Sequence, residues 1–377
     1  MKILLSGGGT AGHINPAIAI AQILSKAYPT AELAFVGTPS GMEAELVQRA
    51  GYRMHEIEVE GLKRSLSPKN LKIISKALAA TRDAAALLKR ERPTLVVGTG
   101  GYVCFPILRA AQHLGIATAL HESNASPGLS VRLLSKKADA ILISFKSSEK
   151  SLAKGARTVL TGNPVRAEFE GCDRSLARAR LGLKGGDLLL LSFGGSLGAE
   201  TINRSVGKAI PHLLRRHKNL YLIHATGKQN YHSFCKEFKD YFKADDKRAR
   251  ILPFIENMAS TMTAADLLLC RSGAMTLTEA AYTKTPAILV PYPGATDDHQ
   301  RKNAEALREI GAANVIPDAD LTPEMLLSAV DILLSDPNKL KGMTEAIASF
   351  AVRDADSRIL EALSPLLVSS HLQSALK

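Results

Sequence analysis

Three glycine-rich segments mark where this 377-residue chain could meet phosphate or sugar. The first reads ILLSGGGTAGHINPA. There Gly7, Gly9 and Gly12 satisfy G-x-G-x-x-G directly after an apolar run, and Pro16 suits the first turn of the helix that follows. Glycine lets backbone approach a ligand closely, and a helix N-terminus favours negative charge. The same spacing serves dinucleotides, but that use needs a carboxylate at the end of the second strand to hold a ribose hydroxyl. Here the second strand ends Val36-Gly37-Thr38-Pro39 and Glu32 sits at its opposite end, which disfavours a nicotinamide dehydrogenase. The second segment, LSFGGSLGAETIN, sets Gly194, Gly195, Ser196 and Gly198 between a strand and a helix, an anion cradle with a hydroxyl donor. Two such loops at matching places point to a phosphate-bearing ligand in a cleft. The third, GTGGYVCFP at 98–106, could bind an acceptor or simply make a tight strand-to-helix turn.

Other polar clusters carry less. Asp318-Ala-Asp320 and Asp354-Ala-Asp356 resemble a metal-binding DxD, but the first precedes an LTPE helix start and the second lies in a late helical stretch. Asp297-Asp298-His299 belongs to a DDHQ run. Cys104, Cys172, Cys235 and Cys270 form no CxxC pair and no metal spacing. Neither a metal nor another cofactor is expected, and the thiols read as reduced and cytoplasmic.

The elements that must position these loops alternate short apolar strands with amphipathic helices. Strands are expected at Lys2–Ser6, Leu33–Gly37, Leu95–Gly98, Ala117–His121 and Ala140–Ser144, with helices at 16–27, 41–50 and 70–90. This is the spacing of βαβ units and a parallel sheet covered on both faces. The pattern restarts at Asp187–Phe193, whose four consecutive leucines suit a doubly buried strand. It continues through Tyr221–Ala225, Ala249–Leu252, Leu267–Cys270 and Ala287–Val290. Between the halves, TGNPVRAEF (161–169) breaks regular structure with Gly162 and Pro164. The expected organisation is α/β: two Rossmann-like domains, 1–164 and 165–349.

Composition agrees with a globular chain: 46% hydrophobic and 22% charged residues exclude disorder and collagen-like repeats. No apolar run nears the roughly 18 residues of a membrane span, and no cleavable signal pattern is seen. The charge is asymmetric. Residues 1–165 hold 21 basic and 11 acidic residues, the remainder 27 and 25, so almost all of the +12 lies in the first half. Nine basic residues fall between Gly61 and Arg92 against two acids, Asp83 and Glu91. Such a surface suits an anionic partner, a membrane face or a nucleic acid; the plainer alternative is a charge that serves solubility.

At this point the motifs become recognisable. GGGTAGHINPA, GTGGYVCFP, HESNASPG, TGNPVR, GGSLGA, PFIENM, RSGAMTLTE and DDHQRKNA occur in the order and spacing of one family, from the first strand to past residue 310. The chain resembles the MurG family, the peripheral membrane N-acetylglucosaminyltransferases of peptidoglycan synthesis. The resemblance implies a GT-B fold, two Rossmann-like domains facing across a cleft, with a C-terminal helix at 350–370 packing back on the first. It also implies inverting transfer of GlcNAc from UDP-GlcNAc to the C4 hydroxyl of MurNAc-pentapeptide on undecaprenyl diphosphate, lipid I to lipid II.

Carried over motif by motif, the resemblance implies that Glu279 holds the ribose hydroxyls and Ile255 offers its backbone to the uracil. Ser196 would hold the diphosphate, with Ala274, Met275, Thr276, Leu277, Thr278 and Glu279 at a helix N-terminus completing the pocket. Arg166 would add positive charge, Asn124 and Gln300 would read GlcNAc hydroxyls, and Thr10, Ala11 and Gly12 would close on the sugar. Each has a plainer alternative: a solvated acid for Glu279, a hinge salt bridge for Arg166, a turn cap for Asn124 and an exposed helix start for Gln300. An inverting transfer needs a base, and His13 is the candidate because histidine titrates near neutral pH; its alternative is a hydrogen bond to acceptor or loop. Leaving-group charge would be met by the helix N-terminus, Ser196 and Arg166. Three departures stand out. Ala11 replaces a common glycine, Ser123 a common glutamine and Ser272 a common alanine.

Helix 70–90 carries Leu71, Ile74, Leu78, Ala85 and Leu88 on one stripe, with Lys69, Lys72, Lys76, Arg82 and Arg90 around it. The stripe suits core packing. Leu62, Leu66, Lys63, Arg64 and Lys69 are the better candidates for lipid contact, at about 1 kcal/mol per basic residue near an anionic leaflet. The expected location is the cytoplasmic face of the bacterial plasma membrane, held peripherally. Rival readings are another GT-B transferase acting on a membrane lipid, a UDP-GlcNAc epimerase, or a basic nucleic-acid-binding protein. The last is disfavoured by the absence of Trp and 5% aromatics.

Overall fold

The computed structural model describes residues 1–59, 69–195, 197–239 and 247–375. The chain divides into two compact units, Met1–Pro164 with Val352–Lys377, and Val165–Ala351. The second is thus inserted near the end of the first.

Unit 1 is built on seven strands: β1 (Lys2–Ser6), β2 (Glu32–Gly37), β3 (Arg53–Glu56), β4 (Leu95–Gly98), β5 (Ala117–Glu122), β6 (Ala140–Ile143) and β7 (Thr158–Leu160). All pair in parallel in the order β3-β2-β1-β4-β5-β6-β7. The apolar runs seen in the sequence supply its central strands, whose residues are buried on both faces. Strands β3 (RMHE) and β7 (TVL) were not legible, because edge strands of four and three residues, partly exposed, are too short to carry an apolar run.

One face of this sheet is covered by helix Ala11–Ala27, through Ile14, Ala17, Ile20 and Leu24, and by the last helix, Ala355–Ala375. That last helix lays Ile359, Leu363 and Leu367 into the same core at exposures of 2% or less. A four-residue spacing puts the three on one stripe, and each fully buried side chain contributes about 1.5–3 kcal/mol. The hydroxyl groups of Tyr28 and Ser364, 2.9 Å apart, add a polar tie. Helices Lys69–Glu91 and Cys104–Leu114 cover the other face, with Ala84, Leu87, Leu88, Ile107 and Leu108 in its core. The described part of the 70–90 stripe is therefore core, while Arg82 and Arg90 are exposed. The side chains of Leu71, Ile74, Leu78, Lys69, Lys72 and Lys76, and all of Leu62, Lys63, Arg64 and Leu66, lie outside the described residues.

Unit 2 repeats the plan with six parallel strands. They are β8 (Leu188–Phe193), β9 (Leu220–Ala225), β10 (Ala249–Leu252), β11 (Leu267–Cys270), β12 (Ala287–Leu289) and β13 (Ala313–Val315), in the order β10-β9-β8-β11-β12-β13. Helices Glu200–Arg216 and Pro323–Ser335 close one core over Leu190, Leu222 and Leu269. Asp266, just before β11, accepts from Arg174, Arg178 and the Leu189 amide, tying helix Arg174–Leu181 to the start of the central strands β8 and β11.

In both sheets the strand order reverses at the first strand, between β1 and β4 and between β8 and β11. In open parallel sheets ligands bind beyond the carboxyl ends of the strands at such a point. The loops after β1 and β4, and those after β8 and β11, are the glycine-bearing segments of the sequence.

Candidate active site

In unit 1 the first glycine loop leaves β1, and Thr10 begins helix Ala11–Ala27 in extended conformation. The helix starts five residues earlier than Pro16 suggested. Pro16 lies inside it and is buried, where its missing N–H leaves the Gly12 carbonyl without that helical partner. The proposed sugar-closing residues Thr10, Ala11 and Gly12 are thus the N-cap and first turn, where backbone N–H groups lack intrahelical acceptors. Thr10 and Gly12 are exposed and Ala11 is half-buried.

His13 is the third residue of the helix and half-buried. Its Nδ1 lies 3.2 Å from the Gly8 carbonyl and 3.2 Å from the Thr10 hydroxyl. A carbonyl can only accept, so Nδ1 carries the proton and the neutral ring keeps its basic electron pair on Nε2. The third glycine loop, after β4, forms the seat of the ring. A methyl at Gly100 would come within 2.7 Å of His13 Cδ2, and one at Gly101 within 2.1 Å of the Gly8 carbonyl oxygen. The Thr99 hydroxyl donates to the His13 carbonyl at 2.6 Å. The loop is therefore more than a turn: its bareness is what admits the imidazole. Gly100 also has φ +107°, which L side chains rarely adopt. Gly100→Ala should lower kcat about tenfold by displacing the ring; steady-state kinetics on the folded variant check this, and an unchanged kcat would show that ring placement does not matter.

Asn124 follows β5. Its backbone and side-chain amides donate to Glu122 Oε1 at 2.9 and 3.1 Å, and the Gly128 amide donates to Oε2 at 2.9 Å. The Glu122 carboxylate thus holds Asn124 through both its backbone and its side-chain amide. Burial pushes the Glu122 carboxyl above the usual range, and the amide donors of Asn124 and Gly128 offset part of this. Glu122, 4% exposed, was missed in the sequence; the signal was an acid inside the HESNASPG motif. Ser123, the departure beside it, is buried, and its carbonyl accepts from Asn163.

In unit 2 the segment after β11 enters helix Ala274–Tyr282 through Gly273, with no side chain capping the helix end. The amides of Ala274, Met275 and Thr276 are the open donors of that first turn. Leu277 is fully buried, and the Thr278 hydroxyl donates back to the Ala274 carbonyl at 3.0 Å. Both side chains are occupied within the unit, so their backbone is the part that can serve the pocket-forming segment. Glu279, one turn in, is 6% exposed. Its Oε1 accepts from Arg166 Nε at 2.8 Å, leaving Oε2 for a ligand. Burial pushes this carboxyl up, and the Arg166 guanidinium pulls it back.

Arg166 also pairs with Glu168 at 2.6 Å and lies over the Phe169 ring. Two carboxylates thus meet Arg166, and its bond to Oε1 holds Glu279 in place. Gln300 is the second residue of helix His299–Glu309, and its Oε1 accepts from the Tyr292 amide at 3.0 Å. Its side-chain N–H groups are then what it can offer a sugar. Ser272, the third departure, donates its hydroxyl to the Gln300 carbonyl at 2.8 Å, and Asn303 donates to the Ser272 carbonyl. The added hydroxyl ties the RSG and DDHQ motifs together.

Ile255 sits in the loop after β10, with its side chain buried and its backbone the part to be presented. Ser196 lies outside the described residues. Asp318, of the first DxD-like pair, is taken up by Arg271 and the Thr201 hydroxyl, and Asp354 by Arg358. Asp298 pairs with Arg301, and His299 Nδ1 meets the Thr296 carbonyl at 2.7 Å. Cys104 and Cys270 are buried and their thiols pushed up to about 12.

Residues 3–143 match the glycosyltransferase family 28 N-terminal domain and residues 189–359 its C-terminal domain. A relative from Acetivibrio thermocellus, named UDP-N-acetylglucosamine--N-acetylmuramyl-(pentapeptide) pyrophosphoryl-undecaprenol N-acetylglucosamine transferase, is 41% identical over 97% of this chain and 98% of its own. One of the same name from Desulforudis audaxviator is 42% identical over 97% and 98%. The crystal structure of MurG from Acinetobacter baumannii superposes with a TM-score of 0.77 at 29% identity, covering 97% of this chain and 99% of that one. A UDP-GlcNAc 2-epimerase from Neisseria meningitidis, at 14% identity and TM-score 0.65, shares the fold alone. Matched in both halves and along nearly all its length, the chain belongs to glycosyltransferase family 28, and within it to the MurG enzymes of GT-B fold.

Proposed function

We propose that this chain transfers GlcNAc from UDP-GlcNAc, with inversion, to the C4 hydroxyl of MurNAc-pentapeptide on undecaprenyl diphosphate, converting lipid I to lipid II in peptidoglycan synthesis. The observation that carries the reading is near-40% identity, along almost the whole chain, to enzymes of that name. On this reading unit 2 holds the donor. The Ile255 backbone meets the uracil, Glu279 Oε2 accepts from the ribose hydroxyls, and the amides of Ala274, Met275 and Thr276, with Ser196, receive the diphosphate. Gln300 donates to the sugar. As the glycosidic bond breaks, negative charge on UDP is met by those fixed amides, an oxyanion-hole arrangement that needs no reorganisation.

Unit 1 supplies the base. Nε2 of His13 takes the proton of the acceptor hydroxyl while the oxygen attacks the anomeric carbon from the face opposite UDP, which inverts the configuration. Thr10, Ala11, Gly12 and Asn124 contact the sugar. The basic 61–92 segment attracts an anionic membrane surface, where a lipid-linked acceptor resides, and would keep the enzyme peripheral on the cytoplasmic face. Among the described residues no helix is long and apolar enough to cross a membrane.

The test is UDP release from UDP-GlcNAc with and without a lipid I analogue. Release that requires the analogue and yields a β1→4-linked disaccharide supports the reading. Turnover of UDP-GlcNAc without any acceptor would favour epimerase chemistry, and an inert folded protein would sink the transferase assignment.

A further inference from the structure

Glu43 takes no part in the site as drawn so far, yet the first glycine loop is shaped around it. It is the second residue of helix Met42–Arg49 and is 1% exposed. Oε1 accepts from the Thr38 amide at 3.1 Å and the Thr38 hydroxyl at 2.6 Å, and Oε2 accepts from the Gly9 amide at 3.3 Å. A methyl at Gly41 would lie 2.3 Å from Oε1, one at Gly37 2.8 Å from Cγ, and one at Gly8 3.0 Å from the carboxyl carbon. Burial pushes this carboxyl up, but the Thr38 hydroxyl and the amide donors outweigh it, so the group stays ionised at neutral pH.

The Gly9 N–H and the Gly8 carbonyl are the two ends of one peptide group. Its N–H end points at Glu43, and its oxygen lies 3.2 Å from His13 Nδ1. A carboxylate, a peptide and an imidazole are therefore strung in line by hydrogen bonds. We infer that Glu43 is a positioning residue for His13, acting through the Gly8–Gly9 peptide. The negative charge polarises the peptide and strengthens its oxygen as the acceptor for Nδ1–H. It thereby fixes the tautomer with its electron pair on Nε2 and favours the imidazolium formed when Nε2 takes a proton. Proton accounting is simple: no proton moves to Glu43, and the one gained at Nε2 leaves later to solvent.

Other groups face the ring or its loop. Tyr102 packs on Gly9, the Thr10 hydroxyl contacts Nδ1, and the helix N-terminus opposes a positive ring, with no acid in its first turn. Glu43 is the acid that the contacts place against this loop. The proposal deepens the reading of His13 as base and rests on it for its kinetic consequence.

Glu43→Gln is the test. The substitution keeps shape but removes the charge and turns one donor toward the Gly9 amide. The measurements are the pH profile of kcat with a lipid I analogue and the titration of His13 by NMR on histidine-labelled, substrate-free enzyme. The expected result is a kcat about fivefold lower, KM for UDP-GlcNAc within about twofold, and a His13 midpoint lower by about half a pH unit. Because the base works deprotonated, the acidic limb of the profile should move to lower pH by the same amount. Glu43→Asp, which keeps the charge, should restore most of the His13 midpoint; it also serves if the Gln variant does not fold. An unchanged His13 midpoint and tautomer in folded Glu43→Gln, or a midpoint equally displaced in Glu43→Asp, would overturn the inference. If His13→Ala instead retains turnover, the base reading fails while the NMR midpoint still decides the coupling.

Discussion

Replacing His13 with alanine is expected to lower kcat for acceptor-dependent UDP release by about 10²- to 10⁴-fold, the usual contribution of a placed general base. The geometry gives the reason. The ring is held by Nδ1 against the Gly8 carbonyl and the Thr10 hydroxyl, and bare Gly100 lies beneath it. The remaining nitrogen, Nε2, is the basic one. Donor affinity should hardly change, because the groups assigned to UDP all lie in unit 2. The fold should also survive, since His13 is half-buried and the helix is anchored by Ile14, Ala17 and Ile20 instead. The measurement is single-turnover kinetics with a lipid I analogue, together with UDP binding by calorimetry. A loss of only a few-fold would reduce His13 to a hydrogen-bonding contact and send the search for the base to a carboxylate.

Glu279→Gln should lower kcat/KM for UDP-GlcNAc by about 10- to 100-fold, the equivalent of losing one hydrogen bond to a charged group of about 1.5–3 kcal/mol. Most of the loss should fall on KM. Glu279 is buried and fixed by Arg166 on Oε1, so Oε2 is the oxygen aimed for the ribose hydroxyls. The substitution also breaks the ion pair. Arg166 is half exposed and keeps Glu168, so the stability cost should be small beside the binding loss. The carboxyl sits above its ordinary pKa because of burial, so donor affinity in the wild type should weaken on acidification earlier than for an exposed glutamate. Calorimetric titration with UDP at neutral and mildly acidic pH checks both. Unchanged UDP affinity in the variant would leave Glu279 as no more than the partner of Arg166.

These two residues show how legible the site was. His13 could be named because it lies in the first glycine loop, a local property of the chain, and Glu279 because its RSGAMTLTE motif resembles that of the family. What Glu279 touches was not legible. Its partner Arg166 is 113 residues away, and only the fold shows that the two meet. The same motif names Leu277 and Thr278 without showing that their side chains are packed, which only the fold reveals.

The sequence by itself determined the sheets' central strands, the break near residue 164 and the glycine loops that leave β1, β4 and β8. Apolar runs and backbone-permissive residues act over a few positions, so they can be read in order along the chain. Only the tertiary structure decided which edge strands complete each sheet and how the last helix, through Ile359, Leu363 and Leu367, joins the first unit's core. It also decided that Gly100 is bare for the sake of His13, and that Glu122 and Glu43 are buried carboxylates serving neighbouring loops. Burying a carboxylate is costly unless donors converge on it. For Glu43 those donors come from the end of β2 and from the loop after β1, 34 residues away, and parallel pairing of the two strands is what brings them together.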